Sequence, residues 1–131
     1  MALPNGAGGY QLGDGNLTEV VLGTQPAPTA KTAAATLTAA ELATGIITYT
    51  GAAVALTVPT GAALDAAFSS MKVDSSFDFS IINTDATDAA TVTANTGCTL
   101  VGVAAVAGVS SCTWRVRKTG DATYVFYRIA G

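Results

Sequence analysis

The stretch LTAAELATGIITYTGAAVALTVPTGAALDAAFSSMKVDSSFDFSIIN, from Leu37 to Asn83, decides the fold. Within it, two short helical patterns alternate with three runs that read as β-strands, and a threonine, glycine or proline marks each change of period. Such punctuated changes of hydrophobic period are typical of a compact, β-rich module. The sequence therefore predicts an all-β fold with one or two short helices.

Both helices are predicted from their first turns. Thr38 and Glu41 form a capping box, in which a hydroxyl and a carboxylate satisfy free backbone amides at a helix start. The second helix, from Gly61 to Met71, follows the cap residue Thr60 and repeats apolar residues at helical spacing. We expect this second helix to cover an open end of the sheets.

The strands of the opening stretch are predicted from alternation of apolar and polar residues. Gly45 to Thr50 and Val54 to Val58 form one neighbouring pair, and we expect them to flank a tight turn at Gly51, with a split between two sheets as the alternative. Ser76 to Asn83 returns to alternation, with Phe77, Phe79 and Ile81 on one face. This pattern predicts a central strand.

Further strands are expected toward the C-terminus. Thr91 to Ala94 is one, and the run from Leu100 to Val109 is broken by two glycines, so that two short strands fit better than a helix. Cys112 to Arg117 and Thr123 to Ile129 alternate around the turn KTGD, which predicts a β-hairpin. About eight strands at regular spacing predict a jelly-roll-like β-sandwich.

The chain divides into an N-terminal arm with a Pro-rich linker, residues 1–30, and a β-sandwich domain, residues 31–131. The arm is rich in glycine and poor in apolar residues, and Pro26 and Pro28 stiffen the linker. Leu17 to Leu22 predicts a strand within it. The arm is either a frayed terminus or an extended segment that orders on a partner. Its candidate interface residues are Tyr10, Leu12, Leu17, Val20 and Leu22.

The composition limits the partners of the chain. Charged residues are only 11% of the total and the net charge is −3, whereas nucleic-acid binding requires clustered Lys and Arg. No apolar run approaches the roughly 20 residues of a membrane span, and the N-terminus lacks the features of a signal peptide. We therefore expect neither nucleic acid nor membrane as a partner.

The residues that usually carry catalysis are scarce. Histidine is absent, which removes the commonest general base and zinc ligand. Asp74, Asp78, Asp85 and Asp88 make an acidic middle segment, but Asp85 and Asp88 lie in a turn where aspartate is favoured for backbone geometry. We expect solvated turns here, with no catalytic site, no metal and no cofactor.

The C-terminal hairpin carries four basic residues, Arg115, Arg117, Lys118 and Arg128. Alternation places Arg115 and Arg117 on one face of their strand. The four side chains are either simply solvated or form a basic patch that docks between subunits or onto an acidic partner surface. Arg115, Arg117 and Arg128 are therefore candidate interface residues.

Cys98 and Cys112 are the only cysteines. With no signal peptide we favour two buried thiols, while a disulfide remains the alternative and would add about 3 kcal/mol by closing a loop of about 15 residues. Trp114 lies on the same strand face as Cys112. This placement favours a core position for Trp114 over a platform on which sugars stack.

Five segments of the chain, taken in order, resemble a family of small virion proteins common in tailed phages. The segments are LTAAELATGIITYTG, LTVPTGAALDAA, FDFSIIN, TVTANTGCTLVG and WRVRKTGDATYVFYR, so that the resemblance covers about Leu37 to Arg128. Members of this family are capsid decoration or cement proteins. The resemblance implies a β-sandwich or jelly-roll module that trimerises and sits on the outside of the phage head.

The expected function follows from this resemblance. We expect a non-enzymatic structural protein, made in the host cytoplasm, that binds and stabilises the outer surface of the capsid as a homotrimer, with the major capsid protein as its partner. A trimer offers several weak attachments that act together. The alternative is a carbohydrate-binding or adhesive module of a host-recognition fibre, which rests on Trp114 and the tyrosines.

Overall fold

The computed structural model describes residues 22–131, so that Tyr10, Leu12, Leu17, Val20 and most of the strand predicted at Leu17 to Leu22 lie outside the described residues. Strand accounts for 45% and helix for 11%, which confirms an all-β fold with two short helices. In chain order the elements are β1 (Thr29–Lys31), β2 (Ala35–Thr36), α1 (Ala39–Ala43), β3 (Ile46–Tyr49), β4 (Val54–Thr57), α2 (Gly61–Ala67), β5 (Ser76–Asn83), β6 (Ala90–Thr93), β7 (Cys98–Val101), β8 (Ala105–Val106), β9 (Ser110–Gly120) and β10 (Thr123–Ala130).

The ten strands of residues 22–131 form two sheets. The large sheet has the order β1-β3-β5-β9-β10-β7, and the small sheet has the order β2-β4-β6-β8. A single hydrophobic core contains side chains from both sheets, among them Trp114 and Phe79 of the large sheet and Leu56 and Val92 of the small sheet. The two sheets therefore pack face to face as two layers.

Successive strands from β1 to β6 alternate between the two sheets, and equivalent strands pair in parallel. In the large sheet Thr29 pairs with Ile47 and Ile47 with Ile81, while in the small sheet Ala35 pairs with Leu56 and Leu56 with Val92. Five of the eight strand pairings are parallel. Because a jelly roll is an antiparallel arrangement, that finer prediction is not confirmed.

Short helices return the chain from the small sheet to the large one. The predicted capping box is confirmed at α1, where Glu41 N–H donates to the Thr38 hydroxyl and Thr38 N–H to the Glu41 carboxylate. Thr60 likewise caps α2. The second helix ends at Ala67 and not at Met71, because the next residue leaves the helical region of backbone angles.

The expected hairpin around Gly51 is wrong, and its alternative is correct. Strand β3 belongs to the large sheet and β4 to the small one. Gly51 has φ of 142°, and a Cβ there would lie 2.6 Å from the carbonyl oxygen of Thr32. The glycine therefore lets the chain cross between layers where a larger residue would collide with backbone.

Two other strand predictions are confirmed. Strand β5 is central, since it lies between β3 and β9, and β9 and β10 form the antiparallel hairpin. The boundary drawn between residues 30 and 31 falls inside a strand, because Thr29 to Lys31 pair with Ile47 to Tyr49. Among residues 22–131, strand pairing thus starts within the predicted linker.

Candidate docking surface

The outward side chains of the central strands of the large sheet are exposed or half-buried, and we refer to this surface as the outer face. It combines paired charges, small hydroxyl residues and apolar groups. Its members are Asp78, Ser80, Ile82, Ser111, Thr113, Arg115, Arg117, Val125, Tyr127 and Ile129.

Arg115 and Asp78 form a two-bond ion pair across adjacent strands. They are direct cross-strand partners of β9 and β5, and Arg115 Nε and Nη2 donate to the Asp78 carboxylate at 2.8 and 3.0 Å. These hydrogen bonds lower the pKa of Asp78 despite its partial burial. Since both side chains are about half exposed, the pair orders the face more than it stabilises the fold.

Arg117 is held in a similar way by Asp74, which lies 43 positions away in the sequence. Its Nε and Nη2 donate to one oxygen of Asp74 at 3.0 and 2.7 Å, and its Nη1 donates to the Tyr127 hydroxyl at 3.3 Å. Asp74 has φ of 73° in the turn before β5. The arginine therefore joins this turn to the middle of the outer face.

The other two cations of the predicted basic patch also have partners within the chain. Lys118 Nζ lies 2.9 Å from the Asp65 carboxylate and 5.9 Å from the centre of the Tyr124 ring. Arg128 Nη1 donates to the carbonyl oxygens of Val103 and Ala105 at 2.8 and 2.6 Å. Each of the four cations therefore has a carboxylate or carbonyl partner within the chain.

Asp65 lies at the centre of a polar cluster that the sequence pattern does not reveal, and we refer to this carboxylate and its three donors as the hub. Its carboxylate accepts from the Tyr124 hydroxyl at 2.6 Å, the Ala122 amide at 2.7 Å and Lys118. The Tyr124 and Lys118 hydrogen bonds lower its pKa to about 2. The hub locks α2 onto the β9–β10 turn, where Ala122 has φ of 50°. Only the tertiary contact between these elements identifies Asp65.

The acidic turn has the role expected from its residue types. The Asp85 carboxylate accepts from the amides of Thr87 and Asp88 at 3.1 and 2.8 Å and from Gly51 at 3.3 Å. Bonds to the Asp88 and Thr87 amides lower the pKa of Asp85. Among residues 22–131, no three acidic or cysteine side chains are placed to hold a metal ion.

Cys98 and Cys112 are buried free thiols, as favoured from the sequence. Strand β10 separates their strands, and Cys98 aligns through Tyr124 with Lys118, which lies about 20 Å along β9 from Cys112. The alternative of an intramolecular disulfide is therefore wrong for this fold, since bonded cysteines need Cα atoms within about 7 Å. Burial raises the pKa of the Cys98 thiol to about 11.

Three of the four aromatic residues of the hairpin belong to the core, so that Trp114 is not exposed for sugar stacking. Trp114, Tyr124 and Phe126 are fully buried, and Phe126 packs edge-on against Phe79 at 6.1 Å between ring centres. The core position predicted for Trp114 is confirmed. Tyr127 keeps a partly exposed ring on the outer face.

Exposed apolar residues gather at one end of the large sheet, which we call the valine end. They lie around the last residues of β5, β7 and β10 and the turn before β9, where Asn83 pairs with Ser110 and Arg128 reaches Val103. Five of the seven large exposed apolar residues of the described chain belong to it: Ile82, Val101, Val103, Val109 and Ile129.

Comparisons with family models, with curated proteins and with solved structures return no match to this chain. None of the helices in residues 22–131 is long and apolar enough to cross a bilayer.

Proposed function

We propose that this chain is a non-enzymatic structural protein of a phage virion, which binds the outer surface of the capsid and stabilises it as a homotrimer. The observation that carries the proposal is the outer face, a broad sheet surface whose charges are mutually neutralised and whose apolar groups remain exposed. Such a surface suits contact with another protein, where unpaired charges are costly to bury.

The outer face docks on the major capsid protein in this proposal. The ion pairs of Arg115 and Arg117 hold these long side chains in fixed positions, so that little side-chain entropy is lost on binding. Ile129 and Tyr127 supply apolar contact area. The arm residues Tyr10, Leu12, Leu17, Val20 and Leu22 provide a second attachment, which raises the affinity through the effective concentration of linked sites.

A co-sedimentation assay tests this function. Purified full-length chain is mixed with undecorated phage heads, and the heads are pelleted at several salt concentrations. The wild-type chain should leave the supernatant. The double variant R115S/R117S should bind more weakly and with an altered salt dependence, because the ordered charges of the outer face are lost.

The matched control is T91S/T93S, which changes two exposed residues on the outward side of the small sheet. This control should bind like the wild type. Failure of the wild-type chain to pellet with heads at any salt concentration contradicts the proposed function. Equal binding of the wild type and R115S/R117S at every salt concentration contradicts the assignment of the outer face.

A further inference from the structure

The end of the molecule opposite the valine end carries an apolar hollow of about 320 Å³. It opens between the two helices and the start of β5, and the rings of Phe68 and Phe77 pack there at 5.1 Å between centres. Leu42, Ala43 and Met71 add to its apolar wall, and Ser70, Ser76 and the paired carboxylate of Asp78 also line it. The core is therefore incompletely closed at this end, and the hollow is large enough for a small aliphatic group.

Val109 is the most prominent group of the valine end. Its side chain is 74% exposed, and its φ of 55° is rarely adopted by a β-branched residue. The amide of Val109 donates to the Asp85 carbonyl at 2.9 Å, and a Cβ at Gly108 would lie 2.9 Å from the same oxygen. The fold thus holds an exposed apolar residue in an unfavourable backbone conformation, which is a feature of interaction sites.

The hollow and Val109 are too far apart to meet within one molecule. Phe77 lies near the start of β5, while Asn83 at its end pairs with Ser110, the residue after Val109. Six residues of extended strand span about 20 Å. Any contact between the two features must therefore join two copies of the chain.

The charges beside the hollow and beside Val109 that lack an ion-pair partner have opposite signs. Lys72 follows Met71 at the hollow and has no carboxylate partner among residues 22–131. Asp85 and Asp88, in the turn that supports Val109, have no cationic partner within the same range. A second copy that places Val109 at the hollow brings its two carboxylates toward this lysine, which favours that orientation.

We propose that the chain associates with itself head to tail, with Val109 of one copy inserted into the hollow of the next and Lys72 opposite Asp85 and Asp88. A contact between two different patches is heterologous, and it closes into a ring when its rotation permits. The contact rests on the self-association in the proposed function and names the residues that mediate it. Apart from Asp78 at the hollow and Ile82 and Ile129 at the valine end, the outer face remains available for the capsid.

Light scattering after gel filtration of the full-length chain tests the contact. The wild type should elute as an oligomer at micromolar concentrations, and V109N should elute as a smaller species. Asn tolerates positive φ, so V109N keeps the turn while it removes the apolar group. The control T99N changes an exposed residue of β7 and should leave the oligomer intact. A monomeric wild type, or a V109N oligomer of unchanged size, overturns the proposal.

A mixing experiment distinguishes a head-to-tail contact from a symmetric one. M71E blocks the hollow but retains Val109, whereas V109N retains an open hollow, so that each variant keeps one half of the contact. Separately the two variants should be monomeric, and their mixture should form heterodimers. Absence of heterodimers from the mixture of folded variants overturns the proposal.

A charge exchange provides a second set of variants that leaves the core untouched. K72E and D88K should each weaken association, and the double variant K72E/D88K should restore it. A double variant that associates no more strongly than either single variant overturns the predicted pairing. Pelleting of V109N with phage heads is measured in parallel. If monomeric V109N still binds heads, the self-contact is not required for the proposed function. The proposed function itself fails only when the wild type does not bind heads.

Discussion

The two sheets of this molecule share one core but present opposite kinds of surface. The outward side of the large sheet carries ion pairs, a partly exposed tyrosine and exposed isoleucines. The outward side of the small sheet consists of threonine and alanine: Thr36, Ala55, Thr57, Thr91, Thr93 and Ala105. The large sheet therefore holds the groups that distinguish one partner from another, and the small sheet closes the core.

This division extends to the interior. The large sheet contributes the aromatic residues of the core, including Trp114, Phe79 and Phe126, while the small sheet contributes aliphatic residues such as Leu56 and Val92. Wide side chains on one sheet fill the space that small ones on the other leave open. Substitutions in the two sheets should therefore have unequal effects on stability.

Loss of Trp114 should have the largest effect on stability. Trp114 is fully buried at the centre of β9, and Trp114→Ala should lower the free energy of unfolding by about 3–5 kcal/mol. The matched change in the small sheet, Val92→Ala, should cost about 2 kcal/mol. Urea unfolding followed by circular dichroism measures both values. Equal losses would show that the two sheets contribute equally.

Arg128 joins the two sheets at the valine end. Its guanidinium extends from β10 to the carbonyl of Ala105 in β8, so Arg128→Ala should leave carbonyl groups without a donor and cost about 1–2 kcal/mol. Arg128→Lys keeps the charge without the planar fork and should recover only part of this loss. The same urea titration applies. An unchanged Arg128→Ala midpoint would show that this link is not structural.

Asp65 should make stability depend on acid pH. Its folded pKa of about 2 lies below the ordinary 3.8, so its stabilisation is present above 3.8 and disappears as the pH falls toward 2. Asp65→Asn should therefore have a lower Tm than wild type at neutral pH, and this difference in Tm should become smaller at acid pH. Tyr124→Phe, which removes the shortest of these hydrogen bonds, should give an intermediate difference in Tm. A difference in Tm that does not change with pH would contradict this role of Asp65.

The exposed pair of Arg115 and Asp78 should contribute little to folding. A double-mutant cycle of Arg115→Ser and Asp78→Ser should give a coupling free energy of about 0.5 kcal/mol, which salt reduces. Thr57→Ser on the small sheet should be close to neutral. A coupling above about 2 kcal/mol would assign the outer face a structural role in place of a docking role.

The two thiols should not react with an alkylating reagent in the native protein. Because Cys98 and Cys112 are buried with raised pKa values, alkylation at neutral pH should label neither before unfolding and both afterwards. Mass spectrometry counts the labels. Absence of labelling after unfolding without reductant would indicate the disulfide that this topology excludes.

The β9–β10 hairpin was predictable because its signals are local. Alternation on both sides of the turn and the turn residues themselves lie within about 20 positions, and the same is true of the caps at Thr38 and Thr60. Parallel pairing was not predictable, since alternation looks the same in either direction. Only the assembled sheets show that Ile47 lies between Thr29 and Ile81.

The docking surface was predictable only in its parts. Alternation placed Arg115 and Arg117 on one face, but their partners Asp78 and Asp74 are separated from them by 37 and 43 positions. No spacing rule connects such pairs, so that paired charges appeared as a basic patch. The prominence of Val109 depends on its positive φ, which a valine in an apolar run does not signal.

Cysteine accessibility on phage heads tests the docking assignment most directly. Ser111→Cys places a thiol on the exposed outward side of the large sheet, and Thr93→Cys places one on the exposed outward side of the small sheet. Both should react with a maleimide in the free protein, where the native thiols stay buried. On heads, Ser111→Cys should be protected and Thr93→Cys should still react. Protection of Thr93→Cys with continued labelling of Ser111→Cys would contradict docking through the large sheet.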